Sequence, residues 1–256
     1  MYRGSFKSIR NYRKLHDPNT YAGEKGGANR DLIMNNPAFA RTRENMNEFG
    51  GCGAAVKAIR RGFLNLLPEQ ADAQFTGRLM RMTKEINLHD VEGIRGRRAI
   101  IFSACRGLLR NIVFNARVNM SEMIQCCFSC SHTESRLSGS LSVKDLSVPL
   151  GYVPGGATHF RIQNHLSIIT DWAWSDLNQR YEPLSVLDGM SAYAYSAYTP
   201  VHSILSADVL ASFAADNALT EDCTVMQCVG VEFYIRSAGD VYLPLKGGCM
   251  KVGEVY

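Results

Sequence analysis

The spacing of hydrophobic residues changes part-way along this chain. Between residues 37 and 88, hydrophobic residues recur at steps of three, four or seven, which is typical of one face of an α-helix. From about residue 114 they alternate with polar residues between turn signals, which is typical of antiparallel strands. We expect an α+β fold in three contacting parts. These are an extended basic arm or short hairpin over residues 1–30, a basic helical hairpin region over 31–113, and an acidic antiparallel β-sandwich over 114–256.

The first helix has a clear start signal. Asn36 is a good N-cap, and Pro37 suits the first helical position. Three glycines within residues 50–53 predict either a break in the helix or the close approach of another backbone. Pro68 ends the segment. The predicted apolar stripe comprises Phe39, Met46, Phe49, Cys52, Val56, Ile59, Phe63 and Leu66, and the polar face carries Arg41, Glu44, Glu48, Lys57 and Arg61.

A second helix is expected from about Glu69, because apolar residues continue at helical spacing as far as Ile86. Residues 91–98 form a basic link rich in turn residues. Residues 99–113 fit either a third helix or the first strand, and we favour the helix. A short helix is also expected within residues 201–216. The predicted strands lie within residues 114–120, 123–131, 138–148, 158–169, 191–201, 223–236 and 240–245.

The composition is that of a globular protein. The chain has 256 residues, of which 46% are hydrophobic and 20% are charged, so it can bury a sizeable core. No apolar run approaches the roughly 20 residues that a membrane helix needs. The basic first residues lack the apolar stretch of a signal peptide. We therefore expect a cytoplasmic protein with no membrane partner, for which lysis is a route of release.

The net charge of +4 conceals an asymmetry between the two halves. Residues 1–120 carry 21 Lys and Arg against 10 Asp and Glu, whereas residues 121–256 carry 7 against 14. A basic half can bind nucleic acid, face the acidic half of its own molecule, or dock on the acidic half of the next copy. Scattered surface charge without a partner is the plainest alternative.

The eight cysteines are expected to be reduced thiols that pack as small apolar groups. Cys127, Cys130 and His132 resemble part of a zinc site. A structural zinc site needs a second pair at short spacing, and Cys223 and Cys228 are five positions apart. We favour buried thiols and expect no metal.

No residue pattern identifies a catalytic centre. The glycine-rich runs match neither the phosphate-loop nor the dinucleotide-binding pattern, and no Gly-x-Ser-x-Gly elbow occurs. No local signature pairs Cys130 with His159 or His165. Asp171 and Asp176 flank two tryptophans, which suits sugar stacking but more simply fills one face of a strand. We expect no enzymatic activity, no cofactor and no small-molecule substrate.

Several segments resemble, in the same order, a family of bacterial proteins that come mostly from Bacteroidota. The resemblance spans most of the chain except about residues 99–150. It implies a helical first half and a β-rich second half, and it provides no catalytic residue. The matching segments are YAGEKGG (21–27), NPAFARTREN (36–45), EFG (48–50), ATHFRI (157–162), VGVEFY (229–234) and YLPLK (242–246).

Taken together, these features predict a non-enzymatic structural subunit that assembles head-to-tail with itself into a tube, filament or shell. The arm would lie across a neighbouring copy, and the basic part would meet the acidic sandwich of the next copy. The alternative is a nucleic-acid-associated or phage-like packaging protein that uses the basic half. The expected interface residues are Tyr12, Tyr21, Arg41, Arg43, Arg95, Arg97, Arg98, Asp171, Asp176, Tyr193 and Tyr195.

Overall fold

Helices and antiparallel strands occur together in this protein, which confirms the predicted α+β class. The chain divides into two compact units, Met1–Asn45 and Met46–Tyr256. The division into an arm, a helical region and a β-sandwich stays a prediction. Among the described helices, none combines the length and the apolar character that a membrane crossing requires. A computed structural model describes residues 5–6, 9–12, 17–24, 27–63, 70–118, 120–214 and 218–256.

The first unit contains a small antiparallel sheet. Its strands β1 (Ser5–Phe6), β2 (Ile9–Tyr12) and β3 (Tyr21–Glu24) pair in chain order. Helix α1 (Arg30–Asn35) follows, and the side chain of Asn29 caps it by accepting a backbone N–H at 2.7 Å. The described part of the expected arm therefore consists largely of paired strands.

Helix α2 (Ala40–Gly62) begins where the sequence predicts a start. Asn36 accepts a hydrogen bond from the backbone N–H two positions on at 2.9 Å. A 3-10 turn (Pro37–Phe39) then leads into the helix, because proline needs no N–H partner there. The helix runs unbroken through the glycines of residues 50–53, so of the two alternatives predicted there the break does not occur.

The buried face of α2 differs from the predicted stripe in its first half. Glu48 and Gly51 are buried, and the ring of Tyr181 packs so closely on Gly51 that a Cβ would lie 2.4 Å from it. Met46 and Phe49, which were expected to be covered, are 51% and 63% exposed. The stripe is correct over the described residues 52–63, where its members are buried.

Of the described α-helices that follow α2, one has 15 residues and the other two have four each. The start predicted near Glu69 and the end predicted at Pro68 lie outside the described residues. The helix expected over residues 99–113 forms only in the middle of that segment. The strand expected over residues 114–120 is wrong, because Phe114 packs between two phenylalanine rings and the chain then enters a helix. These elements are α3 (Phe75–His89), a 3-10 turn (Ser103–Cys105), α4 (Arg106–Leu109) and α5 (Met120–Met123).

The strands of the second unit pair antiparallel throughout the described residues. Their bounds are β4 (Gln125–His132), β5 (Ser138–Ser147), β6 (His159–Thr170), β7 (Trp172–Ser175), β8 (Arg180–Pro183), β9 (Ser191–Tyr195), β10 (Thr199–Pro200), β11 (Leu205–Ser212), β12 (Cys223–Arg236) and β13 (Tyr242–Val255). The central sheet has the order β10-β6-β12-β13, with β9 also paired to β6. A second sheet has the order β11-β5-β4, and β7 pairs with β8. The short helix expected within residues 201–216 is wrong, since alternate residues of β11 are buried and the strand pairs with β5.

Both faces of the central sheet are covered over most of their area. On one face, Ile169 of β6 and Cys228 of β12 join a hydrophobic cluster with α2 and α3. On the other face, Phe160 of β6 and Val231 of β12 join a cluster with Leu141 of β5 and its sheet. This double burial explains why β6 and β12 are buried along nearly their whole length.

Candidate functional site: a tyrosine and arginine surface

Strands of the central sheet bring several tyrosines and an arginine to one face. The register places Tyr195 of β9 opposite Gln163 of β6, and Arg161 of β6 opposite Glu232 of β12. Residues that pair directly in antiparallel strands share a face, so these side chains are neighbours. We call the group the tyrosine surface, and its members are Arg161, Tyr193, Tyr195, Tyr198, Tyr234 and Tyr242.

Arg161 lies at the centre of the tyrosine surface. Its guanidinium carbon is 3.4 Å from the ring centroid of Tyr195, 4.9 Å from that of Tyr234 and 5.2 Å from that of Tyr198. These separations are within cation–π range. The same guanidinium donates from Nε to Glu232 Oε2 at 3.0 Å, and its Nη2 forms an ion pair with that oxygen at 2.9 Å. The side chains of this ion pair are 18% and 14% exposed, so water screens their attraction little.

The environment keeps these groups in their ordinary charge states. Burial acts to lower the pKa of Arg161, but the charge and hydrogen bonds of Glu232 outweigh burial and leave that pKa above its usual value. Burial, followed by the charge of Glu232, raises the pKa of Tyr195 to about 12. Burial and a hydrogen bond to Glu232 raise the pKa of Tyr234 further still. At neutral pH Tyr195 and Tyr234 are therefore uncharged phenols beside one paired cation.

The outer part of the tyrosine surface is a set of stacked rings. Tyr198 and Tyr242 lie parallel, with centroids 3.8 Å apart and an interplanar angle of 2°. Tyr198 meets Tyr234 edge to face at 4.9 Å, and Tyr193 meets Tyr195 in the same manner at 5.6 Å. Tyr193 and Tyr198 are 52% and 37% exposed. The rings hold one another in position while part of their area faces solvent.

A buried glutamine joins the tyrosine surface to the segment before α3. Gln70 donates from Nε2 to Gln163 Oε1 at 3.2 Å and to Glu232 Oε1 at 3.3 Å. Gly230 lies beneath this amide, and a Cβ there would be 3.0 Å from Gln70 Oε1. A glycine at this position therefore lets the amide reach the sheet.

Four of the expected interface residues lie in the first unit. Tyr12 and Tyr21 pair across β2 and β3, and their ring centroids are 5.9 Å apart. Arg41 forms an exposed ion pair at 2.9 Å with the glutamate three positions on. Arg43 donates to two backbone carbonyls at the end of α1, at 2.6 and 2.9 Å. The guanidinium of Arg43 thus has a local structural role in its own unit.

Five further expected interface residues lie in the second unit away from the tyrosine surface. Arg97 and Asp176, which were both expected at the interface between copies, form an ion pair at 2.7 Å within this chain. Arg98 lies 3.8 Å from a buried glutamate, and Arg95 is exposed. Asp171 is only 6% exposed and accepts from the backbone and hydroxyl of a serine at 2.9 and 2.5 Å. Asp171 therefore offers little surface to a neighbouring molecule.

Tyr193 and Tyr195 are the expected interface residues that belong to the tyrosine surface. Arg161 and Glu232 were not among the residues predicted from the sequence. Alternation along β6 and β12 assigns each residue to a face, but it does not reveal that these two strands pair with each other in this register. The available signal was the pair Tyr193 and Tyr195, which lie two positions apart within one predicted strand.

The cysteines considered for zinc do not converge. Cys127 is exposed and Cys130 is partly buried, as expected for residues three apart on a strand. Burial raises the pKa of the Cys130 thiol to about 11. His132 stacks on Tyr256, with centroids 3.8 Å apart. In the described ranges no three His, Cys, Asp or Glu side chains gather in a metal-binding arrangement.

No family model, curated protein or solved structure matches this chain.

Proposed function

We propose that the chain is a non-enzymatic structural subunit that assembles with itself into a homopolymer, such as a tube, filament or shell. The observation that carries this proposal is the tyrosine surface. Tyrosine and arginine are among the residues enriched at protein interfaces and at their energetic hot spots. Here the exposed rings of Tyr193 and Tyr198 adjoin a largely buried ion pair.

The ring contacts favour docking because they reduce its entropic cost. Tyr198 is already fixed between Tyr234 and Tyr242 before any partner arrives. Ordering a free side chain at an interface costs about 0.5–1.5 kcal/mol, and pre-stacked rings avoid much of that cost. Aromatic area would supply the affinity of the contact between copies.

Charge would set the orientation of the assembly. In the proposed assembly, the basic first part of one copy attracts an acidic β-sandwich in the next copy. The central sheet and the β11-β5-β4 sheet form that sandwich. The attraction does not use the pair of Arg97 and Asp176, which is satisfied within one chain. The excess of Lys and Arg in residues 1–120 and of Asp and Glu in residues 121–256 supports the proposal.

Size-exclusion chromatography with light scattering, followed by negative-stain electron microscopy, tests this function. We expect large regular particles that depend on protein concentration and weaken at high salt. Tyr198→Arg should abolish them, because it removes the ring that stacks on Tyr242 and places a second cation beside Arg161. The matched control is Leu210→Arg, at a 63% exposed apolar position on β11.

A wild-type mass fixed at 28.4 kDa at every concentration would refute assembly. Equal assembly of both variants would refute the role of the tyrosine surface.

Nucleic-acid packaging by the basic half is the alternative function. The exposed Arg95 and the excess of basic residues in 1–120 favour it. Salt-dependent retention on heparin or DNA, by a protein that remains monomeric, would support this alternative over self-assembly. Particles that form without nucleic acid would support self-assembly.

A further inference from the structure

Strand β4 lies at one edge of the β11-β5-β4 sheet and is paired on one side only. Its residues 127–132 pair with β5 in a regular antiparallel register, and the register shift of this strand precedes them. In an antiparallel pair, alternate residues direct their backbone N–H and C=O groups to the unpaired side. These outer groups of residues 126–132, which we call the β4 edge, make no hydrogen bond to any described residue.

The β4 edge lacks the features with which proteins protect an exposed strand edge. Lysine, proline and charged side chains usually keep such an edge from pairing with another chain. The other edge strand of this sheet, β11, contains Asp208, and the edge strand β13 of the central sheet contains Pro244, Lys246 and Lys251. The sequence of β4, QCCFSCSH, contains no Lys, Arg, Asp, Glu or Pro. The β4 edge is therefore open to a further strand.

The two faces of β4 indicate what kind of strand fits beside it. The inner face is apolar and only partly buried, and it packs against the hydrophobic cluster around Leu141. The outer face is exposed and carries small side chains. An added strand must therefore be apolar on one face and small on the other, as β4 itself is. The inner residues are Cys126, Phe128 and Cys130, and the outer residues are Cys127, Ser129 and Ser131.

Charge favours a second copy of this chain over a foreign segment. A strand that pairs antiparallel with itself brings each charged side chain close to its own equal, and like charges opposite each other are destabilising. A strand that receives a foreign segment can instead carry charges complementary to that segment. The absence of Lys, Arg, Asp and Glu from β4 is what self-pairing requires.

We propose that β4 pairs antiparallel with β4 of a second copy, so that two sheets of three strands join into one sheet of six. A twofold axis perpendicular to the sheet generates this pairing and places the inner faces of both copies side by side. The partly buried apolar side chains at the edge then continue across the junction. This contact closes on itself as a dimer, is separate from the tyrosine surface and does not rest on the proposed homopolymer.

Analytical ultracentrifugation of the full chain tests the pairing, with a reducing agent present because Cys127 is an exposed thiol. The Tyr198→Arg background, in which larger particles should not form, should show a reversible equilibrium between monomer and dimer. Ser129→Lys and Ser129→Asp should each raise the dimer dissociation constant at least about fivefold, because like charges then meet near the twofold axis. A mixture of the two variants should dimerise more tightly than either alone, because opposite charges then face each other. Leu210→Lys, at an exposed position on the opposite edge strand of the same sheet, is the matched control and should dimerise as its parent does.

Hydrogen exchange of the wild-type chain gives a measurement that does not depend on the tyrosine surface. The outer amides of residues 126–132 should exchange more slowly as the protein concentration rises, because pairing supplies them with acceptors. Wild-type dimers without larger particles would refute the homopolymer and leave this pairing intact. A monomer at every concentration in the Tyr198→Arg background would leave the β4 edge to a foreign strand and overturn the proposal. Equal dissociation constants for Ser129→Lys and its parent, or exchange in residues 126–132 that ignores concentration, would also overturn it.

Discussion

The guanidinium of Arg161 contacts the ring of Tyr195 at 3.4 Å while it donates a hydrogen bond from Nε to the carboxylate of Glu232 and pairs with the same carboxylate through Nη2. One cation thus neutralises a buried acid of the adjacent strand and also orients an aromatic ring. Removing a partner from such a pair leaves a charge without compensation in a poorly hydrated place. The same contact therefore governs both the stability of the sheet and the geometry of the tyrosine surface.

Arg161→Ala should destabilise the protein by about 3 kcal/mol, because the carboxylate of Glu232, which is only 14% exposed, then loses its cation. Urea unfolding followed by circular dichroism measures the change. The control is Arg180→Ala, which removes an arginine paired with Glu182 at 2.8 Å, where the arginine side chain is 71% exposed. An exposed pair of this kind contributes under about 1 kcal/mol. Equal effects of the two substitutions would show that the Arg161 pair is not withdrawn from water.

Alanine substitutions at Gly51 and Gly53 should have opposite effects on stability. At Gly51 the new Cβ would lie 2.4 Å from the ring of Tyr181, whose hydroxyl is held by the carbonyl of Arg98 at 2.8 Å. Overpacking of this kind costs about 1–3 kcal/mol. At Gly53 no described atom lies within 4 Å of the Cβ position, so alanine gains about 1 kcal/mol of helix propensity. Thermal unfolding of both variants checks the prediction, and stabilisation by Gly51→Ala would contradict the close packing of Tyr181 against α2.

Local signals explain which parts of the fold the sequence predicts well. The cap at Asn36 and the turn at Pro37 depend only on neighbouring residues, and both are found. Most strands after residue 123 are also found, because alternation is a local property. The short helix expected within residues 201–216 fails, since β11 forms there only by pairing with a distant strand.

Long-range partners explain what the sequence does not predict. Glu48 was assigned to the polar face of its helix, yet it is 1% exposed. It pairs with Lys84 and accepts the backbone N–H of Gly96 at 2.8 Å, contacts that no helical spacing reveals. The tyrosine surface is similar, since Arg161 and Glu232 are 71 positions apart. The sequence shows the aromatic residues but not the register that gathers them.

Asn164 connects the two larger sheets through polar contacts. Its Nδ2 donates to the carbonyls of Gly139 in β5 and Val209 in β11, each at 2.8 Å, and its Oδ1 accepts from Gln227 at 3.0 Å. Asn164→Ala would leave these buried groups without that partner, and we expect a loss of about 3 kcal/mol. Asn178→Ala, in the exposed turn between β7 and β8, is the control and should change stability by under about 0.5 kcal/mol. Chemical denaturation compares the two, and a similar small effect of both would show that Asn164 does not join the sheets.

The buried side chain of His165 makes the free energy of unfolding depend on pH. The side chain is almost fully buried, its Nε2 lies 2.8 Å from the carbonyl of Gly62, and its ring packs on that of Phe63. The carbonyl can only accept, so Nε2 is a protonated nitrogen of the ring. Burial outweighs the hydrogen bond and lowers the pKa of His165 from 6.5 to about 4.

Because the folded pKa of His165 is lowered, the unfolded chain binds this proton first as pH falls. Above pH 6.5 the histidine is neutral in both the folded and the unfolded chain, so it does not make the free energy of unfolding depend on pH. Between pH 6.5 and about 4 the unfolded state alone gains the proton, so the free energy of unfolding decreases, by about 3 kcal/mol at the lower limit. Urea titrations at a series of pH values should show this fall in wild type and a flatter profile in His165→Gln. His202→Gln, at an exposed position, should retain the wild-type slope. An unchanged slope in His165→Gln would assign the pH dependence to other groups.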